Sequence, residues 1–175
     1  MHKYGFTFNG VDFHEKYGIW LEKTKDTLTP KLRSRKTTLP DRSGAYDYGA
    51  KRYDERMVEL QCISLRVLSR AEMRELAYDL SGKGELRTWH EPDKYYVGQL
   101  FDPGAIEYIG VVGNRFVLPF VCEPFAYGEQ KTVRFENESL FKYAGTAETP
   151  VRMTITNTGD SDITGIVVKV RKVIN

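Results

Sequence analysis

The chain has 175 residues, which is long enough for one domain with a hydrophobic core, whereas two small domains would each be cramped. Apolar residues make up 41% and charged residues 29%, a balance typical of a folded globular chain rather than a disordered one. The formal net charge of +2 is too small to indicate nucleic-acid or membrane binding by the whole protein.

Two cysteines, Cys62 and Cys122, each lie inside an apolar run and are expected to behave as small buried hydrophobic residues. Two cysteines in a chain of this length do not form a disulfide framework. We therefore expect both thiols to be reduced, as in a cytosolic, reducing environment. The first residues alternate polar and apolar side chains, so the sequence shows no signal peptide.

Alternation of aromatic residues with small or polar ones predicts strands at the N-terminus. The first strand spans residues 4–8 and is followed by Asn9 and Gly10, a two-residue hairpin turn because both tolerate positive φ. We expect the return strand at 11–13 and another short strand at 19–21.

Residues 24–52 are poor in large aliphatic side chains and are interrupted by prolines and glycines, which predicts a long loop or an extended arm. Residues 31–56 contain eight Lys or Arg against four Asp or Glu, interspersed with Tyr46, Tyr48 and Tyr53. Cations interleaved with aromatic rings suit nucleic-acid binding. The acidic residues among them favour instead a hairpin that contacts protein.

A helix is predicted at residues 70–81. Ser69 and Glu72 have the spacing of a capping box, and Gly82 stands where a left-handed C-terminal cap is expected. The apolar stripe at helical spacing consists of Met73, Leu76, Ala77 and Leu80. We expect this stripe to pack onto a sheet.

Further strands are predicted at 53–65, 84–89, 94–100, 106–112, 114–122, 131–136, 151–156 and 163–173, on the same alternation. Many short strands with one helix indicate a mainly β (α+β) chain.

Candidate catalytic and metal-binding groups are sparse. His90 precedes two carboxylates that could form an acid/base or metal site with it, but Pro92 between them favours a turn. Two aspartates at 160–162 could begin a calcium loop, yet no further ligands follow at the required positions. We therefore expect no catalytic residue, no metal and no cofactor, and an enzyme is the weaker hypothesis.

The order of these elements resembles the N-terminal domain of the distal tail proteins of long-tailed phages (siphoviruses). The resemblance covers about the first 140 residues. It rests on the Asn9–Gly10 turn, Tyr17-Gly18-Ile19, LPDRSGAYDYGAKRYDER at 39–56, MVELQCIS at 57–64, the helix with Leu86 and Trp89 beyond it, PDKYY at 92–96 and RFVLPFVCEPFAYGE at 115–129.

That resemblance implies an antiparallel β-sandwich or barrel-like domain at 1–142, with one α-helix and a protruding hairpin arm at 24–56. It implies that residues 143–175 are the start of a truncated or absent second β domain. The subunit-contact residues that it implies in the arm are Leu39, Arg42, Tyr46, Tyr48 and Tyr53.

The implied function is that of a structural subunit of a phage or prophage tail tip. Such a subunit forms a hexameric ring that connects the tail tube to the host-adhesion apparatus, and DNA passes through the ring without sequence-specific binding. Its partners would be further copies of itself and other tail proteins (tube, tail-tip or baseplate), with no membrane. It would be assembled in the bacterial cytoplasm and located in the virion tail. The alternative is a monomeric carbohydrate- or protein-binding β-sandwich module, and oligomeric mass distinguishes the two.

Overall fold

The structure is a computed structural model that describes residues 2–33, 36–41, 43–47, 52–102, 106–109, 113–135, 139–141, 143, 145–147, 149 and 151–169. It divides the chain into two units, residues 1–135 and 136–175. The domain boundary between 142 and 143 stays a prediction.

Thirteen strands are found in the described residues, and two helices lie among them. The strands are β1 (Phe6–Phe8), β2 (Val11–Asp12), β3 (Ile19–Lys25), β4 (Leu32–Arg33), β5 (Lys36–Thr38), β6 (Ala45–Asp47), β7 (Arg52–Tyr53), β8 (Arg56–Ser64), β9 (Lys83–Thr88), β10 (Lys94–Leu100), β11 (Glu107–Ile109), β12 (Gly113–Cys122) and β13 (Tyr127–Gly128). The helices are α1 (Phe13–Tyr17) and α2 (Arg70–Asp79).

Most strands of the first unit belong to one large sheet with the order β2-β1-β9-β10-β12-β8-β3, to which β11 adds by pairing with β12 and β13 by pairing with β10. Each of these pairings is antiparallel. At the β3 end, the backbone N–H of Leu21 donates to the carbonyl of Tyr4, directly before β1, at 2.7 Å. The sheet thus curls back toward its own beginning, and the mainly β, antiparallel fold is confirmed.

The core lies on one face of this sheet because every second residue of the central strands β8 and β12 is buried. In the register of the two strands, Leu60 is opposite Leu118 and Cys62 is opposite Phe116. Cys62 and Cys122 are buried, and neither forms a disulfide bond, as predicted. Burial raises the pKa of both thiols, because an apolar environment disfavours the thiolate.

Helix α2 confirms the capping box. The hydroxyl of Ser69 accepts from the N–H of Glu72 at 3.2 Å, and the Glu72 carboxylate accepts from the N–H of Ser69 at 2.8 Å. Leu76 and Leu80 are buried and Met73 packs partly on the core. The expected burial of Ala77 is wrong, since its side chain is exposed. The buried arc is therefore narrower than the predicted stripe.

Helix α1 corrects the prediction of a return strand through residue 13. Strand β2 ends at Asp12, whose carboxylate accepts from the N–H groups of His14 and Glu15 at 3.0 and 3.2 Å and so caps the helix. Gly18 ends it with φ of 66°, the left-handed conformation that glycine favours. The described residues therefore contain two helices where the sequence predicted one.

The strands predicted near the C-terminus are also wrong for the residues that the structure describes there. No strand is present in 131–135 or 151–169, and residues 170–173 lie outside the described residues. Val151, Ile155 and Val167 are exposed. Alternating apolar and polar residues would give a strand one apolar face. A strand also needs a neighbouring strand, however, whose backbone groups pair with its own. The second unit offers none in its described part.

Candidate functional site

The most unusual feature of the first unit is a two-stranded hairpin, hereafter the arm, built by residues 31–54. Its inner ladder pairs β4 with β7, and its outer ladder pairs β5 with β6, both antiparallel. Gly44, with φ of 85°, lies in the turn before β6. Neither ladder belongs to the large sheet, so the inner part of the predicted arm, 24–56, is a separate hairpin. The ends of the predicted arm are not part of it, because Thr24 and Lys25 lie in β3 and Arg56 lies in β8.

The outer part of the arm is exposed throughout its described residues, 36–41 and 43–46. Of the predicted contact residues, Leu39 is 42% exposed and Tyr46 is 43% exposed. Tyr53 is 37% exposed at the base, and its ring meets Phe125 edge-on with the centroids 5.0 Å apart. The structure thus distributes these side chains along the arm instead of gathering them. Two further predicted residues, Arg42 and Tyr48, lie outside the described residues.

The base of the arm is held by a buried arginine. Arg56, the first residue of β8, donates to the hydroxyl of Tyr96 at 2.8 Å and to the carbonyl of Thr27 at 2.5 Å. Its Nε lies 3.3 Å from a carboxylate oxygen of Asp26. Asp26 and Thr27 follow β3 directly, so one guanidinium ties the chain that enters the arm to the chain that leaves it. These four residues are called the Arg56 clamp below.

By composition alone, Arg56 is recognisable only as one of the basic residues at 31–56. The sequence nevertheless indicated that Arg56 is buried, because the period of two along β8 places position 56 on the same face as Val58 and Leu60. A charged residue on the buried face requires partners. Burial, together with the nearby Asp26 carboxylate, raises the pKa of Tyr96 to about 12.

The inner ladder carries a second, more exposed pair. Nε of Arg33 on β4 lies 2.6 Å from a carboxylate oxygen of Asp54, directly after β7. The backbone N–H of Asp54 donates to the carbonyl of Lys31 at 2.8 Å. The inner ladder is thus fixed by backbone and side-chain bonds, whereas the outer ladder extends beyond them.

The site at His90 that the sequence suggested has turn geometry. The N–H of Glu91 donates to the carbonyl of Thr88, and the N–H of Lys94 donates to that of Glu91, so the segment after Trp89 is a turn. Within the described ranges, no group of three or more His, Cys, Asp and Glu side chains is placed to hold a metal ion. No helix in the part of the chain that the structure describes is long and apolar enough to cross a membrane.

No protein-family model matches the chain, and no curated protein matches it in sequence. Among solved structures, the chain is similar to the SPP1 Dit (gp 19.1) protein, described as a paradigm of the hub adsorption apparatus in phages that infect Gram-positive bacteria. The TM-score is 0.58 with 17% identity over 71% of this chain and 52% of the Dit chain. The chain therefore spans about half the length of that protein and has the same fold over the matched region.

Proposed function

We propose that this chain is a structural subunit of a phage or prophage tail tip, which forms a hexameric ring connecting the tail tube to the host-adhesion apparatus. One observation carries the proposal: an exposed hairpin arm extends from a body whose fold is that of a phage adsorption hub protein. The exposed side chains of the arm make few contacts with the rest of their own chain, so the arm is suited to bind a neighbouring subunit.

The arm can close a ring because it differs from the surface that receives it. A contact between two different surfaces repeats in one rotational sense, and it closes when the rotation divides a full turn. A two-stranded ladder has an outer edge on each strand, and such an edge can pair with another chain. Leu39, Tyr46 and Tyr53 supply apolar contact in this arrangement, and Arg42 and Tyr48 belong to the same proposed contact set.

The partners in this proposal are further copies of the chain and the neighbouring tail proteins, and the location is the virion tail after assembly in the bacterial cytoplasm. Residues 1–142 would form the ring, and residues 143–175 would begin a second β domain. DNA would pass through the opening without base-specific contacts. No catalytic step is part of this role.

The proposal is tested by the mass of the assembly with and without the outer ladder. Light scattering should give the intact chain a mass six times 20.2 kDa. Replacing residues 36–47 by a short Gly-Ser linker keeps the inner ladder and the Arg56 clamp, and it should leave a folded monomer. An unchanged thermal unfolding transition would be the control for folding.

Two outcomes would contradict the role of the arm or the ring itself. If the shortened chain still forms the same closed assembly, the arm is not the ring-forming element. If the intact chain is a monomer at every concentration, the ring is refuted and the monomeric binding module becomes the better account.

A further inference from the structure

The face of the large sheet opposite the core carries a strip of apolar side chains. Met57 on β8 is 49% exposed and stands directly opposite Val121 on β12, which is half-buried. Val117 and Pro119 continue the strip along β12, and Val97 continues it on β10; all three are half-buried. These positions alternate with core residues and thus point away from the core.

The sequence of β12 indicates that the sheet face opposite the core is also suited to burial, by contact with another surface. Residues 116–122 are apolar without interruption, although only every second one enters the core. Continuous apolar runs are typical of strands that are buried on both faces. Strands with one solvated face alternate instead, as β9 does with Lys83, Glu85 and Arg87 on one side.

The strip continues to the base of the arm through aromatic residues. Tyr95 on β10 is paired with Tyr127 on β13, and their rings stack with centroids 5.7 Å apart. Phe125, two residues before Tyr127, contacts Tyr53 of the arm. The guanidinium of Arg87 lies 4.7 Å from the centroid of the Tyr95 ring, so this surface already holds a cation against an aromatic ring.

Four ion pairs lie beside the strip in the described residues. The pairs are Lys25–Glu59, Lys83–Glu123, Arg87–Glu85 and Arg115–Glu22, at 2.6, 2.6, 3.2 and 3.2 Å. A partner is therefore recognised by apolar area and aromatic rings and not by a net charge on this face.

We infer that this strip is the surface that receives the arm of a second copy of the chain, an inference that rests on the proposed function. The side chains of the arm complement those of the strip. Leu32, Leu39 and Tyr46 are exposed and can make apolar contacts, and the basic residues of the arm can lie over the aromatic rings. The strip is continuous with the base of the arm, so an arm that leaves one subunit lies beside the strip that receives the next. Arm and strip are different surfaces, as a closed ring requires.

Met57→Lys tests the inference, with Tyr78→Lys as the matched control. Tyr78 is 79% exposed on α2, whose buried side packs on the opposite, core-facing side of the sheet. Met57→Lys should weaken self-association by about tenfold or more, because a charge replaces a side chain that becomes buried on binding. Tyr78→Lys should leave the association unchanged. Both variants should unfold at the wild-type temperature, since both positions are exposed in the subunit.

A mixing experiment gives a second measurement. Leu39→Cys and Met57→Cys chains are prepared separately, mixed and treated with a flexible bismaleimide; the buried native cysteines provide the wild-type background. A cross-linked dimer should form in the mixture and in neither sample alone.

The failures are distinguishable. If the chain without residues 36–47 is a monomer while Met57→Lys assembles normally and no mixed cross-link forms, the arm binds another surface and this inference is overturned, but the proposed function stands. If the chain without residues 36–47 still forms the closed assembly, the arm is not the contact and this inference is overturned, while the ring stands. If the intact chain is a monomer at every concentration, the proposed function is overturned as well.

Discussion

Replacing Arg56 by methionine should destabilise the first unit by about 2–3 kcal/mol, although the variant removes no apolar contact of the core. The guanidinium makes two hydrogen bonds, to Tyr96 and to the Thr27 carbonyl, and an ion pair with Asp26. Hydrogen bonds to charged groups contribute about 1.5–3 kcal/mol each, and breaking a buried ion pair costs about 3–5 kcal/mol.

Partial solvent access makes the expected loss of stability smaller than the sum of these contributions. The side chain of Arg56 is 8% exposed but that of Asp26 is 31% exposed, so water can solvate the carboxylate once the guanidinium is gone. Methionine also fills much of the space with apolar atoms. For a chain of this size the expected change corresponds to a decrease of roughly 5–10 °C in the unfolding temperature.

The assay is urea denaturation followed by tryptophan fluorescence, with Arg33→Met as the comparison. Arg33 also pairs with a carboxylate, but its side chain is 61% exposed and that of its partner Asp54 is 36% exposed. Such a pair contributes less than about 1 kcal/mol. Arg56→Lys should fall between the two, because lysine keeps the charge but lacks the planar fork that reaches three partners. Equal losses for Arg56→Met and Arg33→Met would refute the reasoning.

Other predictions concern the helix cap and the sheet. Ser69→Ala should lower the free energy of unfolding by about 1 kcal/mol in the same assay, because a capping hydroxyl is lost. The backbone N–H of Ser69, together with the Arg66 guanidinium, lowers the pKa of Glu72 to about 2. The stabilisation from the ionised Glu72 carboxylate is therefore complete above its ordinary pKa of 4.5 and is lost as the pH falls toward 2, so Glu72→Gln should flatten the pH dependence of the unfolding midpoint in that range. Gly98→Ala should destabilise by about 1–3 kcal/mol, because the added Cβ would lie 2.5 Å from Sγ of Cys122. Gly128→Ala should be tolerated, and equal melting temperatures for the two alanine variants would contradict this.

The elements that the sequence predicts correctly are those with local signals. Helix α2 begins where Ser69 and Glu72 place it, because both partners of the capping box lie within one helical turn. Strand β10 has the predicted bounds, 94–100, since the turn before it is marked by Pro92. Helix α1 is only five residues long, too short for apolar periodicity, and its signal was limited to the capping Asp12 and Gly18.

The site depended on contacts that no local pattern contains. Composition alone separates the arm from the body, but the pairing of its strands is not visible because its residues lack an apolar face. The clamp joins Arg56 to Tyr96, 40 positions away, and to Thr27, 29 positions away. Only the antiparallel sheet brings these segments together, so the sequence could show that Arg56 needs partners without showing which ones.

In the proposed ring, the clamp and the exposed outer ladder would have separate tasks, and this separation would explain how a small hairpin can hold a subunit. An isolated two-stranded hairpin is marginally stable in water. Ordering an entire arm on binding would therefore consume part of the contact energy. Arg56 and the inner ladder already fix the base. In the proposed ring, a neighbour would therefore have to order only the outer residues, including Leu39 and Tyr46. A fixed base also sets the direction of the arm, and that direction decides whether the repeated contact closes into a ring or continues as an open filament.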